Sequence, residues 1–380
     1  MDSKGQCEFL MKKLAVIGAG YLQLPLVKKA KEMGLSVICF AWEDGAVCKS
    51  EVDRFYPISI VEKEKILEVC REEKIDGIVT IASDVAAPTV AYVAEALGLT
   101  GNSFEVACRA NDKFQMREAF AAANIPCPQY RLIDPDTQLL GVDWHYPLIV
   151  KPVDRSGSLA VMKVNNYDEL SSAVQDAMKF SFKHQAIVEA YVEGREISVE
   201  FISYGGRHYP LQITDKVTTG APHFVELEHH QPADLSKEMF ERIYSLTADA
   251  LDALGVTNGA SHSEYKITSD GTPFIMEIGA RMGGDFIGSD LVRLSTGYDF
   301  VKGAIDVALG KFEVPELLSQ ACSGVYFFCK ETERLLLKKS FDNCSEIVRA
   351  EYPDRPLVEV SRSADRVGYF IYQSKKRIML

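Results

Sequence analysis

Over the first hundred residues, apolar runs alternate with segments in which apolar residues recur at helical spacing. Strands are expected within residues 12–17, 36–42 and 77–81, and helices at residues 21–33, 62–74 and 86–97. Alternation of strands and helices predicts a parallel, doubly wound sheet. The pattern ends near Gly101, so we predict an N-terminal α/β layer up to that point.

The pattern changes after residue 112, where a helix at 112–123 is followed by strands that short turns connect. Further elements are expected as helices at 167–180 and 235–254, a polar loop at 215–230 and a β-hairpin at 261–280. Two apolar runs in the tail, GVYFFCK and RVGYFIYQ, indicate short strands. The sequence therefore predicts an α+β region behind the α/β layer.

The first strand ends in a glycine turn, LAVIGAG, that is typical of a dinucleotide-binding crevice. That fingerprint needs a third glycine, G-x-G-x-x-G, for close packing of the helix on the sheet, and Gln23 stands in its place. We therefore expect a tight strand-to-helix turn that binds no dinucleotide. A nicotinamide-dependent oxidoreductase remains an alternative.

Composition narrows the class of protein. The net charge of −12 disfavours nucleic acid as a partner, and no apolar run reaches the roughly 20 residues of a membrane span. The nine cysteines form no CxxC pair, which favours buried, reduced thiols and a cytoplasmic location. Residues 1–10 lack the features of a signal peptide and are expected to be a disordered extension.

The hairpin carries the most informative acidic residues. If Asp270 and Gly271 form a two-residue turn, Glu264 lies directly opposite Glu277, with their Cβ atoms roughly 5 Å apart. Opposed carboxylates repel each other unless a cation lies between them, and Mg²⁺ suits such a site when a substrate supplies phosphates. Neutralisation by Lys266, or one protonated carboxylate, is the alternative. Arg281 and the glycine pair Gly283 and Gly284 follow and indicate an anion site.

Other candidate residues lie earlier in the chain. Lys151 ends an apolar strand, where a buried lysine needs an anionic partner, and residues 155–158 form a polar turn whose backbone amides suit phosphates. Residues 190–192, between Glu189 and Glu196, could offer backbone groups to an adenine edge. An ordinary hairpin and two solvated acids remain the alternatives for these stretches.

Taken together, residues 12–320 resemble the ATP-grasp superfamily, and in particular its carboxylate–amine ligases of the L-amino-acid-ligase type. The resemblance implies a Rossmann-like pre-ATP-grasp domain, an ATP-grasp fold and a small closing segment. The implied boundaries are 1–10 (extension), 11–111 (N-terminal domain), 112–188 (lid subdomain), 189–320 (catalytic subdomain) and 321–380 (C-terminal subdomain).

The resemblance also implies a role for each candidate residue. ATP would be bound by Lys113, Lys151, Arg155, Ser156, Gly157, Ser158, Glu189, Ala190, Tyr191, Val192, Glu196 and Lys216. Mg²⁺, for which Mn²⁺ could substitute, would be bound by Glu264 and Glu277, and the substrate by His223, Arg281, Gly283 and Gly284. The catalytic residues would be Lys151, His262, Arg281 and Asp285, with His262 or Asp285 accepting the proton of the amine. Many members of the family carry asparagine where this chain has Gly279, which leaves the number of metal ions open.

The implied reaction joins a carboxylate, expected to be an amino acid, to an amine through an acyl phosphate, with ADP and phosphate as products. The partners would be small molecules, with no nucleic acid and no membrane, and a homodimer is usual in this group. The alternatives are an ATP-grasp ligase of nucleotide biosynthesis, a kinase-like enzyme of the same fold and an ATP-binding module without turnover. The sequence names neither the acid nor the amine.

Overall fold

The N-terminal layer is a parallel sheet with helices on both faces, as the alternating pattern predicts. The computed structural model describes residues 11–140, 142–337 and 345–378, so the expected extension at 1–10 lies outside the described residues. The sheet has the order β3-β2-β1-β4, and all its strands run parallel. Its elements are β1 Lys13–Ile17, α1 Leu24–Glu32, β2 Ser36–Phe40, β3 Arg54–Tyr56, α2 Lys63–Glu73, β4 Gly77–Val79 and α3 Ala87–Leu97.

The central strand β1 explains why this layer needs helices on both sides. Leu14 and Val16 are buried in one hydrophobic cluster, whereas Ala15 and Ile17 are buried in another on the opposite face. Continuous apolar strands of this kind are typical of parallel sheets that helices cover on both faces. The short strand β3 was not predicted, because only its two aromatic residues mark it in the sequence.

Gln23 explains why the glycine turn departs from the dinucleotide fingerprint. The amide oxygen of this buried residue accepts the Gly20 N–H at 3.1 Å, and its Nε2 donates to the Ile81 carbonyl at 2.7 Å. Gly18 adopts φ +98°, and a Cβ atom there would lie only 3.1 Å from Cδ of Gln23. The side chain of Gln23 therefore lies across the turn and connects β1 to the residues that follow β4.

A small antiparallel sheet with the order β5-β8-β6-β7 follows. The helices expected at 112–123 and 167–180 are confirmed, but α4 was not predicted. The elements of this region are α4 Phe104–Ala110, α5 Lys113–Ala122, β5 Tyr130–Ile133, β6 Leu148–Pro152, β7 Met162–Val164, α6 Tyr167–Phe180 and β8 Ala186–Ala190. Helix α6 packs its apolar face on the small sheet through Leu170, Val174 and Ala177.

An eight-stranded antiparallel sheet, in the order β13-β12-β9-β10-β11-β14-β16-β15, forms the second half. The polar loop expected at 215–230 is shorter than predicted and covers residues 219–225, because β10 continues to Thr218 and β11, which pairs with it, begins at Glu226. The strands are β9 Arg195–Tyr204, β10 Arg207–Thr218, β11 Glu226–Gln231, β12 Gly259–Ile267, β13 Pro273–Gly279, β14 Cys322–Phe327, β15 Ile347–Glu351 and β16 Tyr369–Ser374. The helices are α7 Lys237–Leu254, a π-helical turn Ile287–Leu291, α8 Val292–Thr296, α9 Phe300–Ala308 and α10 Arg334–Leu337.

The β12–β13 hairpin keeps the predicted register near the cavity and loses it near the turn. Glu264 pairs with Glu277, as predicted, but Tyr265 pairs with Ile275 instead of Met276. A bulge at Met276 shifts the register by one residue. As a result, β12 ends at Ile267 and β13 begins at Pro273. The prediction of a two-residue turn is therefore wrong. The connection between the strands includes all the residues from Thr268 to Thr272.

Helices of the described residues are too short or too polar to cross a membrane.

Candidate active site

One cavity, of about 230 Å³, lies between the small sheet, the β12–β13 hairpin and the neighbouring strands of the large sheet. Most of the residues expected to bind ATP or metal line it together. They are Lys113, Lys151, Arg155, Ser156, Gly157, Ser158, Glu189, Tyr191, Val192, Glu196, Lys216, Glu264 and Glu277, and with them His262 and Arg281. Ala190, His223, Gly283, Gly284 and Asp285 are not among the lining residues.

Each of the two opposed hairpin acids has its own lysine partner. Nζ of Lys216, on β10, lies 2.6 Å from Oε1 of Glu264, and Nζ of Lys113, at the start of α5, lies 3.0 Å from Oε1 of Glu277. Lys266 neutralises neither acid, because its Nζ lies 3.2 Å from Glu196. The repulsion between Glu264 and Glu277 is therefore offset by cations from two other elements.

The donor set of the hairpin fits a magnesium ion. Burial alone would raise the pKa of Glu264, but Lys216 and His262 hold that pKa well below its ordinary value, so the carboxylate is ionised. The described residues contain no cluster of three or more His, Cys, Asp or Glu side chains that could enclose a metal ion. Mg²⁺ needs only one or two carboxylates when phosphate oxygens and water complete its shell, whereas structural Zn²⁺ needs four protein ligands.

A second charged cluster lies in the cavity wall. Oε2 of Glu189 is 2.7 Å from Nζ of Lys151, and its Oε1 is 2.8 Å from Nε of Arg117, which is fully buried. Burial alone would raise the pKa of Glu189, but the two cations more than offset this and lower it, whereas burial lowers the pKa of Lys151. Two cations share one carboxylate, so the cluster retains positive charge for an anionic ligand.

The polar turn after β6 closes one side of the cavity. Gly157 and Ser158 are exposed and both have positive φ, while Nζ of Lys113 donates to the carbonyl of Arg155 at 2.7 Å. Tyr191 lines the cavity, and Nζ of Lys163 lies 3.8 Å from the centre of its ring. An exposed turn over a cavity lined by several lysines has the arrangement of a lid that closes over phosphates.

Comparisons with known proteins agree with this arrangement of the cavity residues. The sequence profile of the ATP-grasp domain matches residues 144–290, which include the turn after β6, the Glu189 strand and the hairpin. The crystal structure of L-amino acid ligase from Bacillus licheniformis superposes with a TM-score of 0.78 at 25% identity, over 96% of this chain and 94% of that one.

Residues 144–290 belong to the ATP-grasp domain family. The predicted family and fold are thereby confirmed. Alanine–anticapsin ligase of Bacillus subtilis is 28% identical over 245 residues, 58% of this chain and 51% of that protein. The chain spans about half the length of the first curated relatives that it matches. Phosphoribosylglycinamide synthetase from Anaerococcus prevotii has a TM-score of 0.76 at 21% identity, over 96% of this chain and 94% of that one, which shows a shared fold.

Within this ATP-grasp fold, Arg281 is held by the N-terminal layer. Its guanidinium lies 2.6 Å from Oδ2 of Asp84, which follows β4. A Cβ atom at Gly279 would lie 2.7 Å from Oδ1 of Asp84 and 2.9 Å from Cζ of Arg281. A glycine at position 279 thus leaves the space that this ion pair fills.

His262 is bound on both sides by carboxylates. Its Nδ1 donates to Oε1 of Glu200 at 2.5 Å, and its Nε2 donates to Oε1 of Glu264 at 3.4 Å. Burial alone would lower the pKa of His262, but Glu200 and then Glu264 raise it to about 9. The imidazole is therefore protonated at neutral pH. Gly283 packs against this pair, because a Cβ atom there would lie 2.6 Å from Nδ1 of His262.

Asp285 lies outside the cavity and belongs to a different ion pair. Both its oxygens accept hydrogen bonds from Arg366 at 2.8 Å, and His229 lies 3.8 Å away. Burial would raise the pKa of Asp285, but Arg366 outweighs this and lowers it. His223 is exposed in the loop between β10 and β11.

The residues that the sequence did not single out are Asp84, Arg117, Glu200 and Arg366. Arg117 follows Lys113 by one helical turn, and Asp84 follows a strand end at the carboxyl edge of a parallel sheet, where ligands commonly bind. The spacing of Arg117 from Lys113 and the position of Asp84 after β4 can both be read from the sequence once the helices and strands are known. Glu200 and Arg366 give no comparable signal, because their partners lie far along the chain.

Proposed function

We propose that this ATP-grasp protein is an ATP- and Mg²⁺-dependent ligase that joins a carboxylate to an amine and releases ADP and phosphate. The observation that carries the proposal is the cavity itself, where Lys113, Lys151 and Lys216 lie beside two opposed carboxylates. Cations of this kind suit a nucleotide's phosphates, and paired carboxylates suit the metal ion that accompanies them.

In this proposal a carboxylate oxygen attacks the γ-phosphorus of ATP, the bond to the β,γ-bridging oxygen breaks, and ADP leaves. The amine nitrogen then attacks the acyl carbon of the acyl phosphate, phosphate leaves and the amine loses a proton. Mg²⁺, held by Glu264 and Glu277, would offset charge on the phosphates. Further phosphate charge would be offset by the side chains of Lys113, Lys151 and Lys216. This is needed because the anionic carboxylate must approach the anionic γ-phosphate in the first step.

We assign the remaining roles by position. The backbone of Tyr191 and Val192 would meet the adenine, with Ala190 and Glu189 behind them, and Glu196 would accept from the ribose hydroxyls. Arg281, held by Asp84, would lie beside the acyl phosphate, with Gly283 and Gly284 at the start of the following turn. The turn at 155–158 would exclude water, which otherwise hydrolyses the acyl phosphate.

The last role to assign is that of the residue that accepts a proton from the amine. Of the two expected candidates, only His262 lines the cavity, and its raised pKa leaves it protonated at neutral pH. We therefore propose that His262 contributes positive charge to the site, and that Asp285 pairs with Arg366 without accepting the proton. His223, which is exposed on the loop between β10 and β11, would approach a substrate only if that loop closed over the cavity.

The substrates are proposed from the names of the relatives. One structural match is an L-amino acid ligase and one curated relative is an alanine–anticapsin ligase, so an amino acid is the carboxylate to test first. We place the enzyme in the cytoplasm, as a homodimer acting on small molecules. A role in nucleotide synthesis is the second candidate, but the phosphoribosylglycinamide synthetase match is one of fold.

The test is phosphate release from ATP and Mg²⁺ across pairwise mixtures of amino acids, with mass spectrometry of the products. Lys151→Ala and Glu277→Ala should abolish substrate-dependent release of ADP, because each removes charge at the phosphates or the metal. Lys179→Ala, at an exposed lysine on α6, is the matched control and should keep full activity. Full activity in Lys151→Ala or Glu277→Ala would contradict the site assignment.

A further inference from the structure

A chain of three side chains runs from the interior of the large sheet to the cavity. Glu200 on β9 is fully buried, His262 on β12 is nearly so, and Glu264 on β12 reaches the cavity. The register of the two strands places Glu200 directly beside His262. The hydrogen bonds of His262 connect the two carboxylates, at 2.5 Å and 3.4 Å.

Glu200 has no part in the proposed chemistry, yet it is costly to bury. Its Oε2 is buried without a hydrogen-bond partner among the described residues, and His262 holds only the other oxygen. Burying a carboxylate away from water carries a large free-energy penalty unless a partner offsets it. We therefore expect a buried carboxylate at the base of the candidate active site to have a function.

The turn after β13 encloses the Glu200–His262 pair. A Cβ atom at Gly283 would lie 2.6 Å from Nδ1 of His262 and 3.2 Å from Oε2 of Glu200. The backbone at Gly283 therefore packs directly against both groups and leaves them little freedom to move. The imidazole is held at its Nδ1 side by Glu200 and by this close packing.

The hydrogen bonds on Glu264 all fall on one of its two oxygens. Lys216 donates to Oε1 at 2.6 Å and His262 donates to the same oxygen at 3.4 Å. None of the described residues forms a hydrogen bond with Oε2. The carboxylate is thus fixed at one oxygen, and the other is the one left for a ligand.

We propose that Glu200 is a positioning residue for the divalent ion: through His262 it fixes the carboxylate of Glu264, so that Oε2 is available to the metal. This inference rests on the proposed function only in requiring that a metal–nucleotide complex binds in the cavity. Side chains behind metal ligands commonly set metal affinity, and their removal lowers it by roughly 10- to 100-fold.

The test measures metal binding without turnover. Mn²⁺ affinity is determined by electron paramagnetic resonance in the presence of ADP, and affinity for a fluorescent ADP analogue is determined separately without metal. Glu200→Ala should weaken Mn²⁺ binding by about 10- to 100-fold and leave metal-free nucleotide binding unchanged. Glu200→Gln, whose amide oxygen still accepts from Nδ1 of His262, should fall between Glu200→Ala and the unsubstituted protein.

Glu228→Gln is the matched control. Glu228 pairs with the buried His230 at 3.0 Å in the same sheet, but neither residue lines the cavity. The Mn²⁺ affinity of the Glu228→Gln variant should equal that of the unsubstituted protein. Unchanged affinity in Glu200→Ala would overturn the inference, and so would equal losses of metal and nucleotide binding with a lower melting temperature, which indicate a general structural role.

The outcomes also separate this inference from the proposed function. If the unsubstituted protein binds Mn²⁺ and ADP together but catalyses no ligation, the proposed reaction fails while the role of Glu200 is still decided by its variants. If the unsubstituted protein binds no Mn²⁺ in the presence of ADP, both proposals are overturned.

Discussion

Gly279 shows how one backbone position controls a charged pair. It lies against both Asp84 and Arg281, and any larger side chain would have to displace one of them. We predict that Gly279→Ala lowers the proposed ligase activity by about 100-fold, because a shift of 1 Å in a positioning group has an effect of that order. The measurement is kcat/KM for ADP release, with the melting temperature measured in parallel.

The matched control is Gly101→Ala, outside the cavity, where the nearest atom to a new Cβ would be the Cβ of Ala94, at 3.1 Å. It should lose much less activity, since only a methyl group would have to give way. Equal losses in the two variants would show that the Asp84–Arg281 pair is not what Gly279 protects.

Glu73 is a buried acid in the N-terminal layer that gives this layer a dependence on pH. Tyr56 donates to it at 2.6 Å, Lys13 lies 2.9 Å away, and Arg54 contacts it too; together they lower its pKa to about 2. Because the folded pKa lies below the ordinary value of about 4.5, the stabilisation is complete above pH 4.5. It is lost as the pH falls from about 4.5 towards 2.

We therefore predict that Glu73→Gln lowers the free energy of unfolding by about 1–3 kcal/mol at pH 7, as expected for hydrogen bonds to a charged group. The difference from the unsubstituted protein should shrink as the pH falls below 4.5. Urea denaturation at a series of pH values measures both effects. Glu72→Gln, at the exposed neighbouring position, should change stability by no more than about 0.5 kcal/mol.

At the scale of elements, the turn after β6 is the segment whose behaviour a ligand should change most. Arg155 lies within it, with its guanidinium 4.3 Å from the ring centre of Phe182, and the next residues are partly or fully exposed. We predict that Mg²⁺ with ADP, at ten times the dissociation constant, slows tryptic cleavage after Arg155 by about tenfold, because ligand binding depletes open states in that proportion.

Mass spectrometry of timed digests measures this protection. Cleavage after Lys311, an exposed residue following α9, should keep its rate and serves as the internal control. Loss of protection at Arg155, with nucleotide binding shown independently, would mean that the turn does not close.

The elements also show which parts of the structure can be predicted from sequence. Helices α5, α6 and α7 were readable because their periodicity is local, and Glu264 was placed opposite Glu277 by alternation and the nearby turn. The bulge at Met276 was not readable, because it leaves the residue pattern of the strand unchanged. Asp84 and Arg281 lie 197 positions apart, so no local pattern connects them.

At the scale of the whole molecule, the C-terminal strands are part of the sheet that carries the site. β14, β16 and β15 continue the order that begins at the hairpin, and Arg366 reaches back to Asp285 beside the π-helical turn. Arg366 also lies 3.8 Å from the centre of the Phe327 ring. The tail therefore stabilises the turn that follows the hairpin.

We predict that Arg366→Leu lowers the free energy of unfolding by about 3–5 kcal/mol, because it leaves the carboxylate of Asp285 largely buried without its main partner. Guanidinium denaturation measures the change. Arg362→Leu is the comparison, since Arg362 is exposed and its ion pair within the described part of the chain is with nearby Asp365; it should change stability by no more than about 1 kcal/mol. Similar values for the two variants would show that the Asp285 pair contributes little.

The lysine partners of the hairpin acids have a consequence for how two ligands influence each other. In the proposed function, a divalent ion that binds Glu277 would compete with Lys113 for that carboxylate, which would release the Lys113 ammonium group towards phosphate oxygens. A nucleotide that attracts Lys113 would in turn uncover Glu277 for the ion. Each ligand would thus prepare the binding site of the other, and linkage requires that the gain in affinity be equal in both directions.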